Sequence, residues 1–407
     1  MAKCRITNDS LFEVIDFGKQ PLGNGFLDKS QFNDEYFFSM KLGFNSESKM
    51  VQLFEQPEPQ KMFHEEYAFF SSTSTSMDRH FRQFYEYIVN SDFYKKYKNP
   101  FVIEIGCNDG ILLKNFAEKN VKHLGIEPSL NVAEIAKRKG VKTISKFFTE
   151  NLAKEIISEE GKADVILSAN VMCHIPNILD VVAGIKALLK DTGVLVFEDP
   201  YLGDVIKKTS YDQIYDEHVF LFSAISVQYL FNMFDLEIIE LLPQKTHGGS
   251  MRYVIANKGI YKANQIVNDI ISEEERLGLN DVNFFQNFSN NIKDSKEKLI
   301  DILQGLKAEG KSIAGYAATS KSTTILNYCQ IGPKYLDYIC DTTPIKQNKF
   351  SPGMHIPIVS HDYFINNPPD VAFLLAWNHS EEIMNKEKKF IENGGKWLIN
   401  VPSPMIL

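Results

Sequence analysis

Positive charge is in short supply in this sequence: 44 Lys and Arg face 52 Asp and Glu along 407 residues, for a formal net charge of −8. A nucleic-acid partner needs a basic face, so that class of function is not expected. Long apolar runs are also missing. The longest, such as Val371 to Trp377, have the length of strands, well short of the ~20 residues that span a bilayer, and no membrane partner is expected. The opening Met1-Ala2-Lys3-Cys4 leads into polar residues and lacks a signal-type apolar stretch. Cysteine is scarce: Cys4, Cys107, Cys173, Cys329 and Cys340 are odd in number and show no paired spacing. That argues against a disulfide framework and fits a reducing, cytoplasmic setting.

Core-forming material is abundant instead. Apolar residues make up 44% and aromatics 12%, with 30 Phe among them, which excludes a disordered chain. The length predicts two or three domains of about 100–200 residues each. Residues 1–75 lack a clear period. Short strands at Leu11 to Ile15 and Phe37 to Met40, set between Gly, Pro and Asn turns, predict a small, loop-rich module there. The spacing of His80, Phe81, Phe84, Tyr87 and Ile88 predicts a helix over Met77 to Tyr97.

From Phe101 the pattern alternates. Strands are predicted at Val102 to Ile105, Leu124 to Glu127, Asp164 to Leu167 and Val194 to Phe197, with helices over Ile111 to Glu118 and Val132 to Lys139. Such βαβα order predicts an α/β domain over 76–258, a parallel sheet with helices on both faces. A charged helical bridge over Lys262 to Lys307 follows. A second strand-helix series at Ser312 to Tyr316, Leu336 to Asp341, Val371 to Trp377 and Lys396 to Val401 places another α/β domain within 259–407.

The first strand of the middle domain ends in Glu104-x-Gly106-x-Asn108-Asp109-Gly110. Glycine at a strand-to-helix junction lets the backbone approach a ligand closely, and the helix start offers free N–H groups. Glu127 closes the next strand, where a carboxylate can accept both ribose hydroxyls of an adenosine. Dinucleotides and S-adenosylmethionine both use such a frame. The dinucleotide fingerprint Gly-x-Gly-x-x-Gly is broken here by Asn108 and Ile111. Asp109 repels a pyrophosphate and suits a sulfonium cofactor with its ammonium group, so S-adenosylmethionine is the expected cofactor. The bland alternative makes Gly106 and Gly110 a tight turn and Glu127 a solvated strand end.

Polar clusters recur at later strand ends. Asn170 and His174 follow the strand at Val165, where an open α/β sheet binds its ligands. Glu198 and Asp199 follow the next strand, and Tyr215, Asp216, Glu217 and His218 stand together further on. A carboxylate beside an imidazole raises its basicity and fixes its tautomer, which singles out His218 over the other histidines. The bland reading of that cluster is a polar helix start with a buried tyrosine. His247-Gly248-Gly249 reads as a turn open to close substrate approach.

Taken in order, Glu104-Ile105-Gly106-Cys107-Asn108-Asp109-Gly110, Ile126-Glu127-Pro128-Ser129, Asn170-Val171-x-x-His174-Ile175, Tyr215-x-Glu217-His218 and His247-Gly248-Gly249-Ser250-x-Arg252 carry a family likeness. They resemble the S-adenosylmethionine-dependent C-methyltransferases that act at C3 of nucleotide-linked 4-keto-deoxysugars. Ser320-Lys321 before Leu326-Asn327-Tyr328, Pro352-Gly353-x-His355 and Trp377-Asn378 extend the resemblance over essentially the whole chain. It implies a class I methyltransferase, Rossmann-like middle domain and a second Rossmann-like carboxyl-terminal domain. The cofactor site it implies comprises Glu104, Gly106, Asn108, Asp109, Gly110, Glu127, Pro128 and Asn170.

The resemblance further implies that a base removes the C3 proton and that the enolate carbon takes the methyl group. His218 is the expected base, with Glu217 orienting it. Tyr215 is the expected donor to the ketone oxygen or a relay, the two roles being exchangeable, and His174 and His247 are secondary candidates. The nucleotide diphosphate, expected between the middle and carboxyl-terminal domains, would draw on Arg252, Ser320 and Lys321, with Asn327, Trp377 and Asn378 as further contacts. The alternatives are an O- or N-methyltransferase on a similar sugar, a non-catalytic S-adenosylmethionine-binding protein, and a nicotinamide oxidoreductase. The oligomeric state stays open.

One departure from the family pattern lies at the amino terminus. Two Cys-x-x-Cys pairs hold a structural zinc in the family, whereas here the pairs read Cys4-Arg5-Ile6-Thr7 and Asn45-Ser46-Glu47-Ser48. One thiolate of four does not make a tetrahedral zinc site. No zinc is expected, and packing by Phe12, Phe37, Phe38 and Phe44 is expected to replace it.

Overall fold

The computed structural model describes residues 2–62 and 75–407. Phe12–Pro21 (β1) pairs antiparallel with Phe37–Phe44 (β2), and β2 with Val51–Leu53 (β3). The fourth strand of this sheet, Phe220–Leu221 (β9 in chain order), comes from the middle of the chain and pairs antiparallel with β3. The amino-terminal unit is therefore a sheet completed from afar rather than a loop-rich module. Its expected limit at residue 75 adjoins residues 63–74, which lie outside the described residues.

The middle sheet contains Phe101–Ile105 (β4), Lys122–Ile126 (β5), Thr143–Ile144 (β6), Ala163–Ala169 (β7), Leu189–Pro200 (β8), Leu236–Gln244 (β10) and Ser250–Asn257 (β11). Their order is β10-β11-β8-β7-β4-β5-β6. All pairings are parallel except those of β11, which runs antiparallel to both β8 and β10. Both faces are covered, so consecutive strand residues enter opposite cores: Ile103, Ile166 and Leu195 on one side, Val102, Val165 and Val194 on the other. Because β4 pairs with β5 on one side and β7 on the other, the strand order reverses there. The gap beyond the carboxyl ends of β4 and β7 is the place where open α/β sheets take ligands.

Local chemistry sets the element ends, and it corrects three expected ones. The helix that leads into the middle domain breaks at Ser91, so Thr75–Asn90 and Asp92–Lys95 are separate; the Ser91 hydroxyl donates back to the Ile88 carbonyl and competes with the helical bond. After β4, left-handed backbone at Gly106, Asn108 and Gly110 delays the helix until Lys114–Ala117. The strand expected through Trp377 stops at Leu374.

The bridge consists of Gln265–Leu277 and Val282–Ala308, capped by Asn264 and Asp281 and separated at left-handed Gly278. Glu274 pins the first of these helices: its buried carboxylate accepts from the Ala224 and Ile225 N–H groups and the Tyr201 hydroxyl. An anion at the start of the helix Ala224–Asn232 is favoured there by the helix dipole. The last sheet, built of Ile313–Tyr316 (β12), Ile339–Cys340 (β13), Ile358–Val359 (β14), Val371–Leu374 (β15), Lys396–Ile399 (β16) and Met405–Ile406 (β17), has the order β14-β13-β12-β15-β16-β17. Only β17 is antiparallel.

Of the aromatics expected to fill the amino-terminal unit, Phe38 and Phe44 are buried while Phe12 and Phe37 lie at the surface. Phe44 meets Phe285 of the bridge at 4.5 Å between ring centroids, which couples the first unit to the last. Phe44→Ala is expected to lower stability by about 3–5 kcal/mol, measured by urea unfolding.

Candidate active site

Three units meet at a cavity of about 280 Å³. The middle sheet contributes the ends of β4, β5 and β7, the carboxyl-terminal domain contributes Thr319, Ser320 and Lys321, and the amino-terminal unit contributes Asn24. Of the expected cofactor residues, Glu104, Gly106, Asn108, Glu127, Pro128 and Asn170 line it. Glu104 is fully buried; burial and the nearby Asp109 and Glu127 push its carboxyl well above the usual range, and its Oε2 has no hydrogen-bond partner among the described residues. Glu127 stands just past β5, accepting from the Asn108 N–H at 3.0 Å and the Ser129 N–H at 2.8 Å. Asn170, in left-handed backbone, keeps a buried Oδ1 without a partner among the described residues.

Those features fit S-adenosylmethionine. A buried carboxyl with one oxygen left without a partner among the described residues suits its ammonium group, and a carboxylate past the second strand suits its ribose hydroxyls. Asp109 stands elsewhere: it pairs with Lys139 at 3.2 Å and does not line the cavity. Gly110 packs on Ala136 and Val141. At Gly106 a Cβ would fall within the Val171 side chain, so its smallness serves packing of β4 against the β7 turn as well as any ligand.

The expected catalytic residues Tyr215, Glu217, His218, His174 and His247 all line the same cavity. Burial holds His218 well below its ordinary value, with the His174 ring adding to the effect, so its imidazole is neutral. Burial likewise lowers His174 and His247 to about 3. His218 Nδ1 lies 2.6 Å from the Gln213 carbonyl oxygen. A carbonyl only accepts, so Nδ1 carries the proton and Nε2 keeps the lone pair. This corrects the expected role of Glu217: the backbone of Gln213 orients the imidazole, while Glu217 Oε1 accepts from the Asn24 amide at 2.7 Å. The His218 ring packs against the Tyr215 ring at 4.1 Å between centroids and against the His174 ring at 5.2 Å.

Ser320, Lys321 and Asn378 of the expected substrate residues line the cavity; Arg252, Asn327 and Trp377 do not. Both Nε and Nη2 of buried Arg252 donate to Glu198 Oε2, at 3.1 and 2.8 Å, and the guanidinium covers the Phe84 ring. Asn327 donates to the Thr323 and Pro352 carbonyls, and Trp377 Nε1 donates to Asp212 at 2.6 Å. Gly248 and Gly249 do not open a path to substrate, since a Cβ at either would run into Trp377 or Asp204. Sequence reasoning missed Asn24, Met77, Phe81 and Lys346 as lining residues. Asn24 lies in a Gly-Asn-Gly turn, which gives no periodic signal.

At the first Cys-x-x-Cys position, the Cys4 thiol lies 3.5 Å from the Ser48 hydroxyl, and the Ser48 N–H and hydroxyl each donate to Asn45 Oδ1 at 2.8 Å. These three positions do converge, but a hydroxyl and an amide oxygen are not the thiolates a structural zinc needs. Among the described residues the one trio of His, Cys and acidic donors close enough for a metal is Cys173, His174 and His218. Burial and neighbouring Asp199 push the Cys173 thiol well above its ordinary value, so it is protonated at neutral pH.

Comparison with known families matches residues 4–63 to a zinc binding domain, 77–241 to a methyltransferase domain and 245–402 to a C-methyltransferase C-terminal domain. The chain belongs to the S-adenosylmethionine-dependent C-methyltransferases, and it is an enzyme of that class. The C-methyltransferase NovU of Streptomyces niveus is 30% identical over 100% of this chain and 96% of its own length. A ubiquinone biosynthesis O-methyltransferase of Rhodopseudomonas palustris is 27% identical over 23% of this chain and 38% of its own. The crystal structure of magnesium protoporphyrin IX methyltransferase from Synechocystis with bound S-adenosylhomocysteine covers 49% of this chain and 92% of its own, at 11% identity and a TM-score of 0.35. No helix among the described residues is long and apolar enough to cross a membrane.

Burial raises Asp199 to about 8. A carboxyl whose pKa rises from about 3.9 on folding stabilises the fold at acid pH and loses that contribution as pH climbs through the folded value. Asp199→Asn removes this titration. The urea midpoint of the variant is expected to fall less between about pH 5 and pH 9 than that of the unaltered protein.

Proposed function

We propose that this C-methyltransferase transfers a methyl group to a sugar carbon, C3, of a nucleotide-linked 4-keto-deoxysugar. The observation that carries the reading is His218: a buried, neutral imidazole whose tautomer is fixed by the Gln213 carbonyl, leaving Nε2 to accept a proton. A carbon beside a ketone is acidic enough for such a base when the enolate oxygen is stabilised. Burial and nearby carboxylates push the Tyr215 hydroxyl well above its ordinary value, so it stays protonated and serves as donor to the ketone oxygen. His174 and His247, both neutral, shape and dry the site. Glu104 and Asn170 hold the amino-acid end of the cofactor, and Glu127 its ribose. Bound S-adenosylmethionine supplies an electrophilic methyl group.

For the nucleotide diphosphate, Arg252 is withdrawn, since Glu198 already occupies it. Lys321 takes that place at the start of the helix Ser320–Tyr328, its amine lowered by burial to about 8 and its Nζ within 3.3 Å of the His247 carbonyl. Lys346 and Lys146 also line the cavity, and cations with a helix start favour phosphate. We further propose that the amino-terminal unit holds no zinc, the Cys4–Ser48–Asn45 contacts standing in its place. The five free, buried cysteines support a reducing, cytoplasmic location.

With thymidine- and uridine-diphosphate 4-keto-6-deoxyglucose as probes, the product is expected to carry its new methyl on carbon by NMR. His218→Ala is expected to reduce turnover and C3 proton exchange at least ~100-fold while calorimetric binding of S-adenosylhomocysteine survives. A methyl found on oxygen or nitrogen overturns the reading. Metal analysis of the purified protein is expected to find no stoichiometric zinc, and one tightly held zinc per chain refutes the second proposal.

A further inference from the structure

Residues 22–27 belong to the amino-terminal unit but contact both of the others. The Gly23 N–H donates to Asp216 Oδ1 at 3.0 Å, and the Thr323 hydroxyl donates to the Gly23 carbonyl at 3.0 Å. A Cβ at Gly23 would lie 2.7 Å from Asp216 Oδ1 and 3.3 Å from Ser320 Cβ, so only glycine fits between the two walls. Leu27 exchanges backbone hydrogen bonds with Phe350 of the carboxyl-terminal domain. Between these anchors Asn24 turns its side chain into the cavity.

The two ends of the Asn24 amide do different work. Its Nδ2 donates to Glu217 Oε1 at 2.7 Å, and its Oδ1 accepts from the Ser320 hydroxyl at 2.9 Å. Glu217 precedes His218 in the turn that holds the imidazole, and Ser320 precedes Lys321 at the start of the carboxyl-terminal helix. An amide donates to a carboxylate from its nitrogen and accepts from a hydroxyl at its oxygen, two separate atoms, and it does so without charge. Aspartate in its place can accept but not donate when ionised. Alanine can do neither.

We propose that Asn24 is a positioning residue of methyl transfer: its amide fixes the Glu217 carboxylate and clasps the Ser320–Tyr328 helix onto the Tyr215–His218 turn. The amino-terminal unit thereby completes the reacting site. The inference rests on the reading of His218 as base and of the Lys321 helix as sugar-nucleotide wall. Its chemical sense is alignment. The base belongs to one wall of the cavity and Lys321 and Lys346 to the other, and a displacement of about 1 Å between them is worth up to ~100-fold in rate.

The test uses the full-length enzyme with the same thymidine-diphosphate keto sugar. Asn24→Ala is expected to lower kcat/KM about 10- to 100-fold while S-adenosylhomocysteine binding is unchanged. In a Glu217→Ala background the same substitution is expected to add less than about 3-fold, because residues acting through one contact are not additive. Asn24→Asp sets two carboxylates together that share one proton. Its activity is expected to recover more steeply as pH falls from about 8 to 6 than that of the unaltered enzyme, in which Lys321 and Asp216 already titrate over this range. Unchanged kcat/KM for Asn24→Ala, independent effects in the cycle, or an unaltered pH profile for Asn24→Asp overturns the proposal. If the unaltered enzyme does not turn over this sugar, the functional reading is what has failed. Asn24 is then judged by amide hydrogen exchange of residues 215–218, which Asn24→Ala is expected to speed at least ~10-fold if the clasp holds and to leave unchanged if it does not.

Discussion

The roof of the cavity hangs from one buried carboxylate. Glu198, at the end of β8, accepts from His80 Nε2 at 2.7 Å and the Thr246 hydroxyl at 2.9 Å on one oxygen, and from Arg252 on the other. Burial alone would raise its pKa, yet these partners hold it at about 2. Each partner brings a segment with it: the helix that carries Met77 and Phe81, the turn that carries His247, and the reversed strand β11. Removing one partner from a buried, charge-assisted set leaves the others uncompensated and costs about 3–5 kcal/mol. The stability and the shape of the site are therefore one problem here. Arg252, read from sequence as a phosphate ligand, earns its place in this way.

Much of the cavity lining on the side of β4 and β5 was legible because strand ends are legible. Once β4 and β5 are identified by their apolar runs, Glu104, Gly106 and Glu127 fall at their carboxyl ends, and topology does the rest. That Tyr215, Glu217 and His218 line the cavity together was legible for a weaker reason, their local crowding in the sequence. What failed was the assignment of partners. His218 is oriented by a backbone carbonyl, and a carbonyl leaves no trace in residue identity. Gly248 and Gly249 looked like an opening for substrate but make room for Trp377 and Asp204. Long-range placement was equally hidden: nothing around Phe220 and Leu221 signals that they complete a sheet begun near residue 12.

Acids and imidazoles in and beside the cavity are held out of their usual ionisation states by the same cause. Burial raises Asp199 and Asp216 toward 8 and 7 and lowers His174 and His247 toward 3. The result is a site in which most titratable groups are neutral at physiological pH, while Glu198 and its cationic partner Arg252 lie buried behind its lining. A weakly solvated, largely neutral pocket strengthens the few charges left in it. It also leaves Cys173 as a thiol, which separates the His174 and His218 pair from a metal site made of similar residues.

The contribution of Phe220–Leu221 to the amino-terminal sheet has a bearing on how such chains diversify. Severed from the rest, residues 2–62 would expose the outer edge of β3 and invite pairing with other chains. The first sixty residues are thus no portable cassette. Recombination between related genes that swapped this stretch alone would also have to match a dipeptide more than 150 residues downstream, so inheritance favours the three units travelling together.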